Sequence, residues 1–284
     1  MLYSIGKMIK KGGGFCLFDI TPEMKALEKQ VVKANDLIQK SRFNLSLQQQ
    51  KIVLYLISQI TPFDEDFKLY QFSITEFCKI CGIDITSGGN YADLKASIKE
   101  IADKSVWITL ANGKDTLLRW IEKPYIEPKS GLIQIKLDND MKPYLLQLKQ
   151  NFTSYELIWT LHFKSKYTIR LYELIKSIHF HDLEEYTREF SLAELRRLLD
   201  ADKYDRWIHF KQRVLEPSIE EINNYSDKNV EYEPLKKGKA VDRVRFKINS
   251  KDSLEALEIR DKIIKEMGYE QLTFWDELEE RGLV

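Results

Sequence analysis

The sequence contains little cysteine, and it has no long hydrophobic run. Three cysteines among 284 residues are too few for a disulfide-stapled secreted fold and are typical of a reducing cytoplasm. The longest apolar stretch, Ile52–Ile57, is far shorter than the roughly 20 residues that cross a bilayer. No apolar segment near the N-terminus ends in a small-residue cleavage site, so no signal peptide is predicted. With 43% hydrophobic residues, the chain can bury a substantial core, and we expect a cytoplasmic globular protein.

The chain also has no net charge, because 44 basic and 44 acidic side chains cancel. This balance hides an uneven distribution. Residues 252–284 carry ten acidic and four basic side chains, a net charge of −6, whereas the first 251 residues carry +6. The sequence therefore predicts a basic body, which favours a polyanionic partner, followed by an acidic helical tail over residues 251–284.

Motifs for catalysis or cofactor binding are scarce. The glycine runs at 12–14 and 88–89 lack the GKS or GKT ending of a phosphate-binding loop. Cys78 and Cys81 have zinc-ligand spacing, but a structural zinc site needs four ligands and Cys16 is remote. We expect Cys78 and Cys81 to pack inside a short helix. The prediction is a protein that is not an enzyme and uses no metal and no cofactor.

One local pattern leaves an enzymatic alternative open. His179 and His181 form the His–hydrophobic–His pair with which rolling-circle nickases hold a divalent metal, and Tyr172 with Lys176 resembles their nucleophilic tyrosine and its lysine. In those enzymes the tyrosine follows the histidine pair, whereas Tyr172 precedes it. A metal-dependent nicking initiator is therefore the alternative from a different functional class.

An internal repeat organises the chain. A stripe of apolar residues at helical spacing occurs twice, 118 residues apart, as Val53, Leu56, Ile57 and Ile60 and as Leu171, Leu174, Ile175 and Ile178. Each stripe precedes a serine placed three residues before a glutamate, at 73–76 and 191–194, which predicts a capped short helix. A longer helix follows at an offset of 121 residues, with Leu94, Ile98 and Ile101 matching Leu215, Ile219 and Ile222.

Strand patterns follow the longer helix in both copies. Segments 106–110 and 116–121 flank an Asn-Gly turn signal, and a further strand is predicted at 132–137. In the second copy, segments 230–233 and 243–248 flank a lysine-rich loop. Helix, short capped helix, longer helix and β-hairpin is the order of a winged helix.

We therefore predict an α+β protein with two tandem winged-helix domains related by internal duplication. The predicted domains are residues 1–138, residues 139–250 and the acidic tail. A single α+β domain with coincidental similarity is the alternative fold.

The longer helix of the second copy has an outward face suited to DNA. At 100° per residue, Trp207, Ile208, Phe210, Val214, Leu215, Ile219 and Ile222 form one apolar arc. The opposite face carries Arg206, His209, Gln212 and Arg213 in the half of the helix that reaches base edges. Lys211 falls inside the apolar arc and is expected to extend to a phosphate. The hairpin adds Lys236, Lys237 and Lys239 at its tip and Arg243 on its return strand.

The corresponding helix of the first copy has a mixed outward face. This face contains Asp93, Ala96, Lys99, Glu100 and Asp103, with Lys95 and Lys104 at its flanks. Its acidic residues repel phosphate, so we predict protein contact for this helix. The DNA contacts expected from the first copy are limited to the backbone, through Lys95 and Lys99.

Three segments, ANDLIQKSRFNLSLQQQKIVLYLI, YTIRLYELIKS and RWIHFKQRVLEPSIEEIN, resemble the iteron-binding plasmid replication initiators. The resemblance covers roughly residues 30–250 and implies two winged helices that bind directly repeated double-stranded origin DNA, called iterons. It also implies that the bound monomers open the origin and recruit host replication proteins such as a helicase or an initiator. Dimers held by the N-terminal domain are expected to repress their own gene. The location implied is the bacterial cytoplasm.

The resemblance assigns the family's DNA-reading helix to Arg206–Arg213 and its basic wing to Lys236–Lys239. Where some relatives have a run of arginines, this chain has Lys211, Gln212 and Arg213, so the resemblance implies the mode of binding but not the iteron sequence. A dimeric winged-helix transcriptional repressor, which binds DNA without opening it, is the alternative within the same class.

Overall fold

The computed structural model describes residues 27–81, 90–127, 130–177 and 185–268, and they form two winged-helix units in tandem, as predicted. The first unit contains β1 (Gln30–Ala34), α1 (Asn35–Gln39), β2 (Ser41–Arg42), α2 (Leu47–Ile57), β3 (Tyr70–Ser73), α3 (Ile74–Ile80), α4 (Asn90–Asp103), β4 (Ser105–Thr109), β5 (Asp115–Arg119), β6 (Tyr125–Glu127) and β7 (Leu132–Ile135). A 3₁₀ turn (Asn139–Met141) and α5 (Lys142–Leu145) connect it to the second unit.

The second unit contains β8 (Phe152–Glu156), α6 (Ile158–Leu161), α7 (Lys166–Lys176), β9 (Glu185–Ser191), α8 (Leu192–Leu198), α9 (Trp207–Phe210), a π-helical turn (Lys211–Leu215), α10 (Glu216–Tyr225), β10 (Lys228–Lys237) and β11 (Ala240–Ser250). The acidic C-terminal region begins with α11 (Ser253–Glu266), which packs against α6 and α10. Residues 269–284 lie outside the described residues. No helix in the described ranges is both long and apolar enough to cross a membrane.

Serine side chains begin the repeated helices. Helix α2 starts with a capping box, in which Ser46 Oγ accepts from the Gln49 amide at 3.3 Å and Gln49 Oε1 accepts from the Ser46 amide at 3.0 Å. In the second copy, Ser165 caps α7, and Ser191 accepts from the Glu194 amide at 3.1 Å at the start of α8. The predicted capped helix of the second copy is therefore confirmed at its first turn.

The strand order corrects the predicted wing of the first unit. The strands of the second wing sheet are ordered β10-β11-β9, and the matching order in the first unit is β6-β7-β3. The hairpin predicted at 106–121 does form, as β4 and β5, but it pairs with β2 in a separate sheet. Because turn signals identify hairpins but not their partners, the sequence assigned the wing to the wrong hairpin. The first wing is β6–β7, with strands of only three and four residues.

The second wing is longer than the sequence indicated. Residues 234–237 and 240–242, predicted as loop, belong to β10 and β11, which pair in antiparallel fashion up to the turn at Gly238. Gly238 has a φ of +65°, which glycine adopts without the strain of a Cβ. Pro234 is accommodated because β10 is an edge strand. The result is a ribbon of ten and eleven residues that carries its lysines at the tip.

The two units share a buried joint. Strand β1 of the first unit pairs with β8 of the second, so a sheet spans the predicted boundary near residue 138. Glu173 of α7 accepts from Lys33 Nζ and from the Tyr155 hydroxyl at 2.6 Å each, and from Arg170 at 3.1 Å. Burial opposes the ionisation of Glu173, but Lys33 and Arg170 keep its pKa below the ordinary value. The four side chains are almost completely buried, and they hold β1, β8 and α7 together.

Candidate nucleic-acid interface

The long helix of the second unit runs from Trp207 to Tyr225 and is interrupted by the π-helical turn. It follows Arg206, which has an extended backbone and an exposed side chain. On the inward side, Phe210 and Leu215 are completely buried and Val214 nearly so, and α10 continues this side with buried Ile219 and Ile222. These residues confirm most of the predicted apolar arc.

The π-helical turn corrects one member of that arc. Ile208 was predicted in the core, but its side chain is 42% exposed. A π turn inserts one residue into the helical repeat, so residues ahead of it rotate relative to a continuous α-helix. Constant helical spacing places Ile208 and Lys211 at the middle of the inward face. After the one-residue shift, these two positions are taken by Trp207 and Phe210, whose ring centroids are 6.3 Å apart.

The predicted donors of this helix lie on its exposed face. Arg206, His209, Gln212 and Arg213 are all exposed, and their side chains have no ion pair or hydrogen bond with other described residues. Lys211 is partly buried, and its ammonium lies 3.3 Å from the Glu216 carboxylate. The Tyr232 hydroxyl of β10 donates to the same carboxylate at 3.1 Å. Glu216 therefore links the helix to the wing.

Arg42 of the first unit and Lys166 of the second hold the turn that leads into this helix, which the sequence did not indicate. Arg42 Nη2 of β2 lies 2.5 Å from Asp202 Oδ2. Lys166, at the start of α7, binds Asp200 at 2.9 Å, and Asp200 itself has a φ of +53°. These contacts join residues more than 30 positions apart, so no local pattern in the sequence could have identified them.

Charge on the second wing is concentrated at its tip. Lys236, Lys237 and Lys239 are exposed, and none pairs with an acidic group in the part of the chain that the structure describes. By contrast, the predicted site residue Arg243 lies 3.1 Å from Glu189. Arg245 binds the same carboxylate at 2.7 Å. Hydrogen bonds from Arg245 above all lower the pKa of Glu189, so this carboxylate stays ionised and offsets the strand's positive charge.

The outward face of α4 in the first unit is largely neutralised by its own ion pairs. The predicted outward residues Asp93, Ala96, Lys99, Glu100 and Asp103 are all exposed. Lys99 binds Asp103 at 2.5 Å, and Lys104 binds Glu100 at 3.3 Å. Lys95 is exposed and has no ion pair with a described residue. The mixed face that the sequence predicted is confirmed, and a phosphate would meet mostly compensated charge there.

The described residues do not form the metal-dependent nicking site of the alternative hypothesis. Tyr172 is completely buried, and its hydroxyl donates to Asp227 Oδ1 at 2.7 Å. Its burial, and then the negative charge of Asp227, raise the pKa of this hydroxyl well above its ordinary value. Cys78 and Cys81 are buried at α3, as predicted. His179 and His181 lie outside the described residues, and the described ones contain no metal-binding cluster of His, Cys, Asp or Glu.

Comparisons with known proteins identify both units. Residues 30–176 match the sequence profile described as Initiator Replication protein, WH1, and residues 191–248 match the profile described as Initiator Rep protein, WH2. A replication initiation protein of Escherichia coli is 26% identical over 250 residues, which is 85% of this chain and 76% of that protein. The crystal structure of Pi initiator protein in complex with iteron DNA has a TM-score of 0.64 at 20% identity, covering 80% of this chain and 99% of the other.

Proposed function

The chain belongs to the family of initiator replication proteins, and from this premise we propose that it starts plasmid replication by binding iterons, the direct repeats of an origin. One observation carries the proposal. The second unit presents four exposed donors on its long helix beside a wing with three unpaired tip lysines. The Pi initiator, which has the same fold, binds iteron DNA.

In this proposal, the two parts of the surface have different tasks. Arg206, His209, Gln212 and Arg213 enter the major groove, where side-chain donors distinguish base edges. The wing lysines contact phosphates, which carry charge but no sequence information, and Arg243 and Lys211 contribute there after exchanging an acidic partner for the DNA backbone. Lys95 and Lys99 supply weaker backbone contacts from the first unit.

We further propose that the first unit supplies protein contacts. Trp107 of β4 and Leu117 of β5 are directly paired across the strands and are 55% and 48% exposed. Strand β5 is an edge of its sheet, and an open edge can pair with a second copy. Dimers formed there would repress the protein's own gene, whereas monomers would open the origin and recruit a host helicase or initiator. Residues 1–138 and 139–250 remain the proposed domains for these two tasks.

DNA binding is tested on the sequence that flanks the gene, where we expect tandem repeats of about 20 base pairs, or two helical turns. Fluorescence anisotropy should show specific binding to one repeat that is weakened in Arg213→Ala. Lys114→Ala removes an exposed positive charge from the β4–β5 loop and is the matched control. Equal affinity of the natural protein for the repeat and for a scrambled duplex would refute the proposal.

Origin opening separates an initiator from a repressor. On supercoiled origin plasmid, the protein should make thymines next to the repeats reactive to permanganate. Protection of the repeats without any reactive thymine would instead support the repressor.

The dimer contact is tested by light scattering on the full chain. Leu117→Glu should shift dimers to monomers, whereas Leu254→Glu, a change at an exposed leucine of α11, should not. A dimer that survives Leu117→Glu would place the contact elsewhere.

A further inference from the structure

We propose that Ile208 reads the 5-methyl group of one thymine in each repeat. This inference rests on the proposed function, because it requires the long helix of the second unit to enter the major groove. It adds an apolar contact to the polar and charged side chains to which the proposed function assigns DNA contacts.

The first observation is where Ile208 lies. It is exposed between Arg206 and His209, and Gln212 follows one turn later on the same helix. A single exposed isoleucine is ordinary on a protein surface, so exposure alone is not evidence of a site. Here the exposed isoleucine lies among the side chains proposed to contact base edges, where an apolar group has a specific chemical counterpart.

The second observation is the backbone feature that exposes it. In a continuous α-helix, Ile208 would lie two turns before Leu215 and share its buried face. With the π-helical turn at Lys211–Leu215, Phe210 stays buried, whereas Ile208 lies outward. Such turns occur frequently at functional sites. The corresponding helix α4 of the first unit is uninterrupted over its 14 residues, so the fold itself does not require this turn.

The chemistry selects thymine. In the major groove, thymine presents a C5 methyl group, which cytosine, adenine and guanine lack. Ile208 is β-branched, and in a helix its side chain is held largely in one rotamer. It can therefore present a fixed apolar surface to that methyl group without losing much conformational freedom.

Deoxyuridine provides the test, because it keeps the base pair of thymine and removes only the methyl group. Each thymine of one repeat is replaced in turn, and the affinity of the full chain is measured by anisotropy. We expect one position at which the natural protein binds about fourfold more weakly, which corresponds to the roughly 0.8 kcal/mol of one buried methyl-sized group. In Ile208→Ala, this sensitivity should disappear, while replacement of each other thymine should have the same effect as in the natural protein.

Two variants keep the test interpretable. Ile208→Val preserves the branched shape and should keep most of the sensitivity. Leu254→Ala shortens another exposed aliphatic side chain, on α11, and should keep all of it. Circular dichroism on Ile208→Ala checks that the helix is intact.

Failure of this inference is distinct from failure of the proposed function. If the repeat is bound specifically but no deoxyuridine weakens binding, or if Ile208→Ala retains the same sensitivity, the role of Ile208 is refuted and DNA reading by the helix stands. If the unmodified repeat is not bound specifically, both are refuted.

Discussion

The long helices of the two winged-helix units have the same place in the fold but opposite surface chemistry. Helix α4 is continuous, and three of its exposed charges are paired locally, Lys99 with Asp103 and Glu100 with Lys104. The second helix contains a π-helical turn, and its exposed Arg206 and Arg213 have no ion pair in the described structure. In the proposed function, the fold provides the position for reading DNA, whereas the unpaired donors provide the capacity to do so.

The wings extend the same contrast. The first wing has strands of three and four residues, and Ser130 donates to Glu127 near its tip at 2.9 Å. The second reaches ten and eleven residues and exposes three lysines. The second wing is thus both longer and richer in exposed lysine than the first. The second unit therefore has the more cationic wing as well as the helix with unpaired arginines.

The largest effect we expect concerns the π-helical turn, which is present in the long helix of the second unit and absent from α4. Phe210→Ala should lower the free energy of unfolding by about 3–5 kcal/mol, because it empties a completely buried aromatic site. Ile208→Ala should cost about 1 kcal/mol or less, since this side chain is partly exposed. Urea denaturation of both variants gives the two values. A continuous α-helix would bury Ile208 as well, so a loss of about 2 kcal/mol or more in Ile208→Ala would contradict the turn.

The same turn marks the limit of what the sequence predicts. Apolar spacing and serine caps identify α2, α3, α7 and α8, because those signals are local. Constant helical spacing, however, assigned Ile208 to the core, since nothing in the pattern signals an inserted residue at 211–215.

Contacts between distant segments were equally inaccessible to sequence patterns. The pairing of β1 with β8 and the bond from Arg42 to Asp202 depend on how the two units meet. The exposure of Arg206, His209, Gln212 and Arg213 was predicted correctly, because alternation between buried and exposed faces is also a local property.

A smaller effect should distinguish the two helices in DNA binding. Arg206→Ala and Arg213→Ala should each weaken binding to the repeat by about 1–3 kcal/mol and relax discrimination at individual base pairs. Anisotropy against a set of single-base variants of the repeat measures both quantities. Unchanged base preference in both variants would show that the helix does not read bases.

The wing lysines should affect every DNA sequence alike. Replacing Lys236, Lys237 and Lys239 with alanine should make the slope of log affinity against log salt shallower by up to about 3, one unit for each lost phosphate contact. The matched double variant Lys95→Ala with Lys99→Ala should change it by about 1 or less, because Lys99 already pairs with Asp103. Equal changes in the salt slope of the two variants would show that both units contact phosphate to the same extent.

The smallest effect should come from Glu189, which holds two cations of the second wing. Its carboxylate binds Arg243 at 3.1 Å and Arg245 at 2.7 Å, so both guanidinium groups face an acid. Glu189→Gln keeps a hydrogen-bond acceptor and removes the negative charge. One more positive charge then becomes available to the DNA backbone, and the salt slope should become steeper by up to about 1.

The control for this variant is Glu231→Gln, which removes an exposed acid of β10 that has no ion pair with a described residue. General attraction between the wing and DNA predicts the same change in both variants, because each raises the net charge by one. Release of Arg243, whose only ion pair among the described residues is with Glu189, predicts a steeper slope for Glu189→Gln alone, while Arg245 keeps its pair with Glu233 at 3.1 Å. Salt titrations of the two variants therefore show whether paired arginines on the return strand reach phosphate, or whether the unpaired lysines of the tip carry that contact without them.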